Sequence, residues 1–134
     1  HPIGGKVMSN ISSSLCAALI LTVTAVNSAH AQDAAIVAGE AFFHQRCQTC
    51  HNPQADKNTF GPDLKGVVGR KAGTIGGFAY SDVLRNSGIV WTEAMLHAWM
   101  EDNDKMLPGT RMRHIGVTDL AEQEMIIAYL QSLK

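Results

Sequence analysis

Cys47-Gln48-Thr49-Cys50-His51 places two thiols three positions apart and an imidazole directly after the second. Each thiol can add to one vinyl group of a porphyrin, and the adjacent imidazole then reaches the iron from the same side. The run therefore reads as the covalent attachment site of a c-type haem. A redox Cys-x-x-Cys, or one half of a zinc site, would use the same residue types. The first belongs with a βαβ pattern and the second with another closely spaced Cys/His pair, and neither follows His51.

The first quarter of the 134-residue chain is unlike the rest. Residues 15–26 form an apolar run, and Ala29-His30-Ala31 supplies small residues at the two positions a signal peptidase reads. Residues 1–31 are accordingly expected to be a secretory signal peptide, cleaved before Gln32. The run is shorter than the roughly 18 apolar residues expected of a membrane span, so a retained anchor is the weaker reading. The chain opens His1-Pro2, and the leader's one cation, Lys6, precedes Met8. A start further upstream, or extraneous residues ahead of the natural one, would both account for this. Cys16 lies inside the apolar run without the Leu that a lipoprotein site wants three positions earlier, and is expected to leave with the leader.

Residues 32–134 would then form one small domain holding only Cys47 and Cys50, with the haem standing in for part of the apolar core that so short a chain lacks. Thioether attachment in an oxidising compartment leaves no free thiol behind, which makes the periplasm the expected address.

Residues 34–43 read as a helix with Ile36, Phe43 and the small Gly39 on one face, delivering Cys47 at its end. Residues 52–89 carry nine Gly and Pro residues without sustained periodicity. They are expected to be loop and turn wrapped on a cofactor, interrupted by a short helix at 81–86. Thr92 reads as the N-cap of a second helix over 93–100, with Leu96, Trp99 and Met100 on one side. Thr118 reads as the cap of a third. Asp119, Glu122 and Glu124 would lie in its opening turns and Lys134 at its end, the charge order a helix dipole favours. Its expected apolar face is Leu120, Ile126, Ile127, Leu130 and Leu133. With no repeat and no strong β-alternation, the expected class is all-α with long loops.

If His51 takes one face of the iron, the other needs a soft or imidazole ligand, and the candidates are Met95, His97, Met100, Met106, Met112, His114 and Met125. Met95, Met100 and Met125 fall in helical stretches, where a Met is more often core filler. Met112 follows Pro108-Gly109-Thr110-Arg111 in a loop, where a stiff turn can hold a thioether toward the iron.

At this point the chain resembles the class I cytochromes c, the small His/Met carriers similar to mitochondrial cytochrome c and its bacterial periplasmic relatives. The resemblance runs from about residue 34 to 133. It consists of Cys47-x-x-Cys50-His51, Gly61-Pro62-Asp63-Leu64, Val68-Gly69-Arg70-Lys71, Gly77-Phe78-Ala79-Tyr80-Ser81, Ile89-Val90-Trp91, Pro108-Gly109-Thr110-Arg111-Met112 and Ile126-Ile127-Ala128-Tyr129-Leu130. It implies three main helices plus short ones around a single haem c, with Met112 as distal ligand and the Pro62 carbonyl accepting from the second ring nitrogen of His51. It implies that Gly39 and Phe43 cross Ile126 and Tyr129, Gly39 letting the two backbones approach. Arg70, Tyr80 and Trp91 match positions near the haem propionates, where buried carboxylates need donors. For Trp91, plain core is the alternative. Thr110, in the methionine loop, is grouped with the haem contacts. Trp99 stands where the family often has a Tyr near the Met sulfur, and Leu84 where it often has an Asn.

Two strong axial ligands leave low-spin iron no open position, so the expected activity is one-electron exchange rather than enzyme catalysis, at a potential raised by His/Met ligation. The expected partners are redox proteins such as a quinol-oxidising complex, a terminal oxidase or a periplasmic dehydrogenase, met in small and brief complexes by a monomer. Neither nucleic-acid binding nor stable membrane insertion after cleavage is expected. Of the eleven Lys/Arg, Lys6 leaves with the leader, so ten face twelve Asp/Glu, a formal −2. Lys57, Lys65, Lys71, Lys105, Arg111 and Arg113 would gather into a steering rim at the haem edge or form a solvated mixed surface. Two other readings stay open. One is a haem enzyme or gas-binding protein with a labile Met112, kept in view by Trp99 and Leu84. The other is a haem subunit fixed to a periplasmic dehydrogenase, which a large exposed apolar patch would mark.

Overall fold

A computed structural model describes residues 1–5, 14–55 and 58–134, with the side chains of 14–26 left aside. Lys6, Met8 and Lys57, and the side chains of the apolar run with Cys16, lie outside the described residues. The chain divides into two compact units, His1–Gln32 and Asp33–Lys134. Four helices are described: α1 (Ser14–Arg46), α2 (Asp82–Arg85), α3 (Glu93–Met106) and α4 (Leu120–Ser132). Among the described residues there is no strand, only a single antiparallel bridge between Lys71 and Val90. The all-α class is as expected. No described helix is long and apolar enough to cross a membrane.

The helices start where side chains can take up their free N–H groups. Thr92 accepts the N–H of Met95 at 3.2 Å, and Ser81 accepts that of Leu84 at 3.3 Å, opening α2 inside the expected 81–86 window.

Three boundaries differ from the expectation. α1 begins at Ser14 rather than residue 34 because nothing between them breaks a helix: the stretch has no Pro and is rich in Ala and Leu. α4 is capped by Asp119, not Thr118, because the Asp119 carboxylate takes two donors at once, the N–H groups of Ala121 (2.8 Å) and Glu122 (3.2 Å). Lys134 falls beyond the helix, and Leu120, on its first turn, is 61% exposed rather than part of the apolar face. α3 continues past residue 100 to Met106, but Asp102 sits at φ −160°, ψ 91°, outside the helical region. Its carboxylate accepts the N–H of Lys105 at 3.0 Å, so the last turn starts afresh under its own cap.

The core of the second unit joins α1, α3 and α4 through Phe43, Leu96, Trp99, Met100, Ile126, Ile127, Tyr129 and Leu130. The expected crossing of the first and last helices is present. A Cβ on Gly39 would collide with the Met125 carbonyl and touch Tyr129 Cβ, so only glycine lets the backbones meet there. Beside it the Phe43 and Tyr129 rings pack at 5.2 Å. Met95, expected to fill core, is 39% exposed on the outer side of α3. The irregular segment before α2 is tied down by backbone bonds to the approach to α3: Gly69 N–H to Trp91 O (2.8 Å), Trp91 N–H to Arg70 O (2.9 Å) and Ala72 N–H to Ile89 O (2.8 Å).

Candidate functional site

One wall of the site unwinds from the end of α1. Cys47 N–H bonds Phe43 O (2.8 Å), then Cys50 and His51 both donate to Cys47 O (3.1 and 2.9 Å), which wraps the pentapeptide into one tight turn. Both thiols are free and half-buried. Cys47 packs against the core, and burial pushes its thiol up to about 11.

His51 is buried, and its Nδ1 lies 2.8 Å from the Pro62 carbonyl. A carbonyl only accepts, so Nδ1 carries the hydrogen and Nε2 keeps its lone pair for a metal. Burial pushes this imidazole below its ordinary pKa, the Pro62 carbonyl opposes the shift, and His114 adds to it. Gly61 is pressed on the ring: a Cβ there would stand 2.5 Å from Cε1, 2.7 Å from Nδ1 and 2.9 Å from Cys50 O.

A second wall is assembled from α3 and the methionine loop. Trp99, 6% exposed, donates its Nε1–H to Met112 Sδ at 3.0 Å. Asn103, from the detached last turn of α3, donates to the Met112 carbonyl at 2.8 Å. Thr110 is fully buried, and Arg111 donates to Ala79 O at 3.1 Å, tying the loop to the segment before α2. A thioether sulfur has a second lone pair, so the bond from Trp99 leaves one for a metal.

The remaining predicted residues fall as follows. Arg70 directs its guanidinium to the carbonyls of Lys65 and Asp63, both at 2.9 Å, and so braces its own loop. Tyr80 lies within reach of Arg70's charge; burial raises the pKa of its hydroxyl, and an N–H from Ile75 and the Arg70 charge oppose that. Trp91 is buried, edge-to-face with Trp99 at 5.0 Å. Leu84 is half-buried against the core. Of the other ligand candidates, His97 is engaged with Gln123 Oε1 at 2.7 Å and Met100 is buried. Lys65, Lys71, Lys105, Arg111 and Arg113 are exposed, but Arg113 is paired with Asp104 (2.7 Å) and Arg111 is spent on Ala79.

Asn103 is a site residue that sequence reading missed. Its signal was present: Leu96, Trp99, Met100, Asn103 and Met106 keep helical spacing, so a polar residue occupied a core position. Asn58, which accepts from Asp63 N–H (3.0 Å) and donates to Gly76 O (3.1 Å), had no comparable signal in its loop.

Two unpaired thiols on one turn, an imidazole with its nitrogen lone pair free and a positioned thioether make a donor set that fits a covalently held porphyrin iron. The sequence matches the cytochrome c family profile over residues 36–134. It is 45% identical over 115 residues to cytochrome c2 of Blastochloris viridis, covering 84% of this chain and 87% of that protein. It is 40% identical over 96 residues to cytochrome c of Euglena viridis, covering 72% and 94%. Among solved structures, cytochrome cH from Methylobacterium extorquens superposes with a TM-score of 0.67 at 46% identity, over 72% of this chain and 96% of that one. With motif, fold and relatives in agreement, the chain belongs to the cytochrome c family and carries haem c on Cys47 and Cys50.

Proposed function

We propose that the protein is a periplasmic one-electron carrier in which His51 and Met112 are the two axial ligands. Haem c, when bound, supplies an iron that alternates between ferric and ferrous states. The chain supplies orientation and exclusion. Pro62 fixes the tautomer and ring plane of His51 and makes it a stronger donor. Trp99 and Asn103 hold the sulfur and the backbone of Met112. Arg70, Tyr80, Trp91 and Thr110 are assigned to the rest of the cofactor, Arg70 by bracing the loop on which it sits.

The observation that carries this reading is the 3.0 Å bond from Trp99 to the Met112 sulfur. A thioether already held by a buried donor suits a permanent ligand, whereas a site built to admit peroxide or a gas would gain nothing from anchoring it. Trp99, which kept the labile-methionine alternative open, thus speaks for the carrier.

Export through loss of residues 1–31 is supported by the small residues at Ala29 and Ala31, and by the division of the chain at Gln32–Asp33 beside the expected cleavage point. The partners we assign are a quinol-oxidising complex, a terminal oxidase or a periplasmic dehydrogenase. A monomer would meet them briefly, with Lys65, Lys71 and Lys105 as the unpaired cations of the expected rim among the described residues.

The test is the absorption spectrum of the ferric protein. A weak long-wavelength charge-transfer band from sulfur on low-spin iron is expected, and Met112→Ala should abolish it. High-spin iron without that band in the native protein would overturn the carrier assignment. Amino-terminal sequencing of exported protein should begin at Gln32.

A further inference from the structure

Gln123 is 3% exposed on α4, and Ile126, Ile127 and Leu130, which follow it at helical spacing, are buried as well. An amide in such a place is tolerated when its polar atoms are taken up, and here both ends are. The side-chain nitrogen donates to the Val117 carbonyl at 2.6 Å, and the side-chain oxygen lies 2.7 Å from Nδ1 of His97 on α3. A backbone carbonyl can only accept, so the amide nitrogen faces Val117 and the oxygen faces His97. Nδ1 of His97 then carries the hydrogen. The three groups form one directed chain, from α3 through α4 to the segment between the two helices.

That segment is the returning end of the methionine loop. Val117 is buried five residues after Met112, and its peptide groups are held on both sides. Its N–H donates to the Met100 carbonyl at 2.8 Å, while its own carbonyl takes the Gln123 amide. Gly116 beside it is pressed on α3, where a Cβ would stand 2.3 Å from the Glu101 oxygen. Trp99, the donor to the Met112 sulfur, directly precedes Met100. One turn of α3 thus holds the sulfur by a side chain and the loop's return by its backbone, so a shift of residues 116–117 is passed back to Met112. Gln123 links that return to α4.

We propose that Gln123 is a positioning residue for the Met112 ligand: its amide, oriented by His97, clamps Val117 and so holds the returning end of the methionine loop in register with α3. This rests on the reading of Met112 as axial ligand. Gln123 acts through Val117 rather than on the iron. Its effect is to keep the sulfur in one place while the iron changes oxidation state, the condition for electron exchange without rearrangement.

Gln123→Glu keeps the shape of the side chain and the acceptor for His97, but its carboxylate has only lone pairs to offer Val117. Ferric holoproteins, native and variant, are titrated with imidazole, which binds the iron only where the sulfur has left it. Apparent affinity scales with the fraction of such molecules, so the loss of one buried hydrogen bond should raise it roughly tenfold. Guanidinium unfolding is followed alongside by circular dichroism. An imidazole affinity that stays native overturns the proposal whether or not the unfolding midpoint falls, since a merely structural role would move the midpoint alone. A native protein without the sulfur charge-transfer band overturns the Met112 reading itself, and that failure is seen before any variant is compared. If Gln123→Glu does not accumulate, His97→Leu, which leaves the amide without its orienting partner, should raise the affinity by a smaller factor. An unchanged affinity there overturns the proposal equally.

Discussion

The two walls of the proposed haem site are built by opposite strategies. The His51 wall is local: the turn from Phe43 to His51, the Gly61 contact and the Pro62 carbonyl all come from one short piece of chain. The Met112 wall is tertiary: Trp99 and Asn103 come from α3, and Arg111 ties the loop back to Ala79. A local wall is right or wrong as a whole, because every contact in it depends on the same turn. A tertiary wall has separable parts, each removable at modest cost, and it is the side on which ligand strength can be tuned.

The contrast can be broken most severely on the local side. Gly61→Val forces a branched side chain against the His51 ring and the Cys50 carbonyl, neither of which can move alone. We expect the holoprotein to lose about 3 kcal/mol or to fail to accumulate, measured by guanidinium unfolding. On the tertiary side, Trp99→Phe keeps the ring in the core and removes only the donor to sulfur. It should cost about 1–2 kcal/mol and alter the sulfur charge-transfer band, while His51 ligation is retained. Asn103→Ala leaves the Met112 carbonyl without its donor, a loss of about 1 kcal/mol that should be visible in thermal unfolding. If Trp99→Phe and Asn103→Ala instead destroyed the site outright, as Gly61→Val should, the distinction between the walls would be wrong. Outside both walls, Arg46→Gln removes the ion pair to Glu122 (2.6 Å). With its guanidinium in solvent, the change in unfolding midpoint should be hard to separate from zero and smaller still in high salt.

The same division explains what could be read from the sequence. The haem pentapeptide, the Thr92 cap, the Gly39 crossing and the bond from His51 to Pro62 were legible, the first two from local spacing alone and the others through the family resemblance. Asn103 is legible only as a polar residue at helical spacing; its bond to the Met112 carbonyl is not, because Asp102 leaves the helix for a turn with a new cap. The choice of Asp119 over Thr118 depended on which side chain could reach two N–H groups at once, a matter of geometry rather than residue class. Leu120 looked like core by spacing, yet it sits on the first turn of α4 ahead of the helix's contact with its neighbours. Trp91 packs on Trp99, a position that both of its readings allow.

The break in α3 at Asp102 has a consequence for how the molecule opens. The helix of residues 93–101 is kinked there, and the turn of residues 103–106 starts under its own cap. We expect Asn103 and the methionine loop beyond it to open and reclose as a unit while the helical frame around Phe43 and Tyr129 stays wound, as hydrogen exchange would measure. Amides of residues 103–112 should then exchange faster than those of α4.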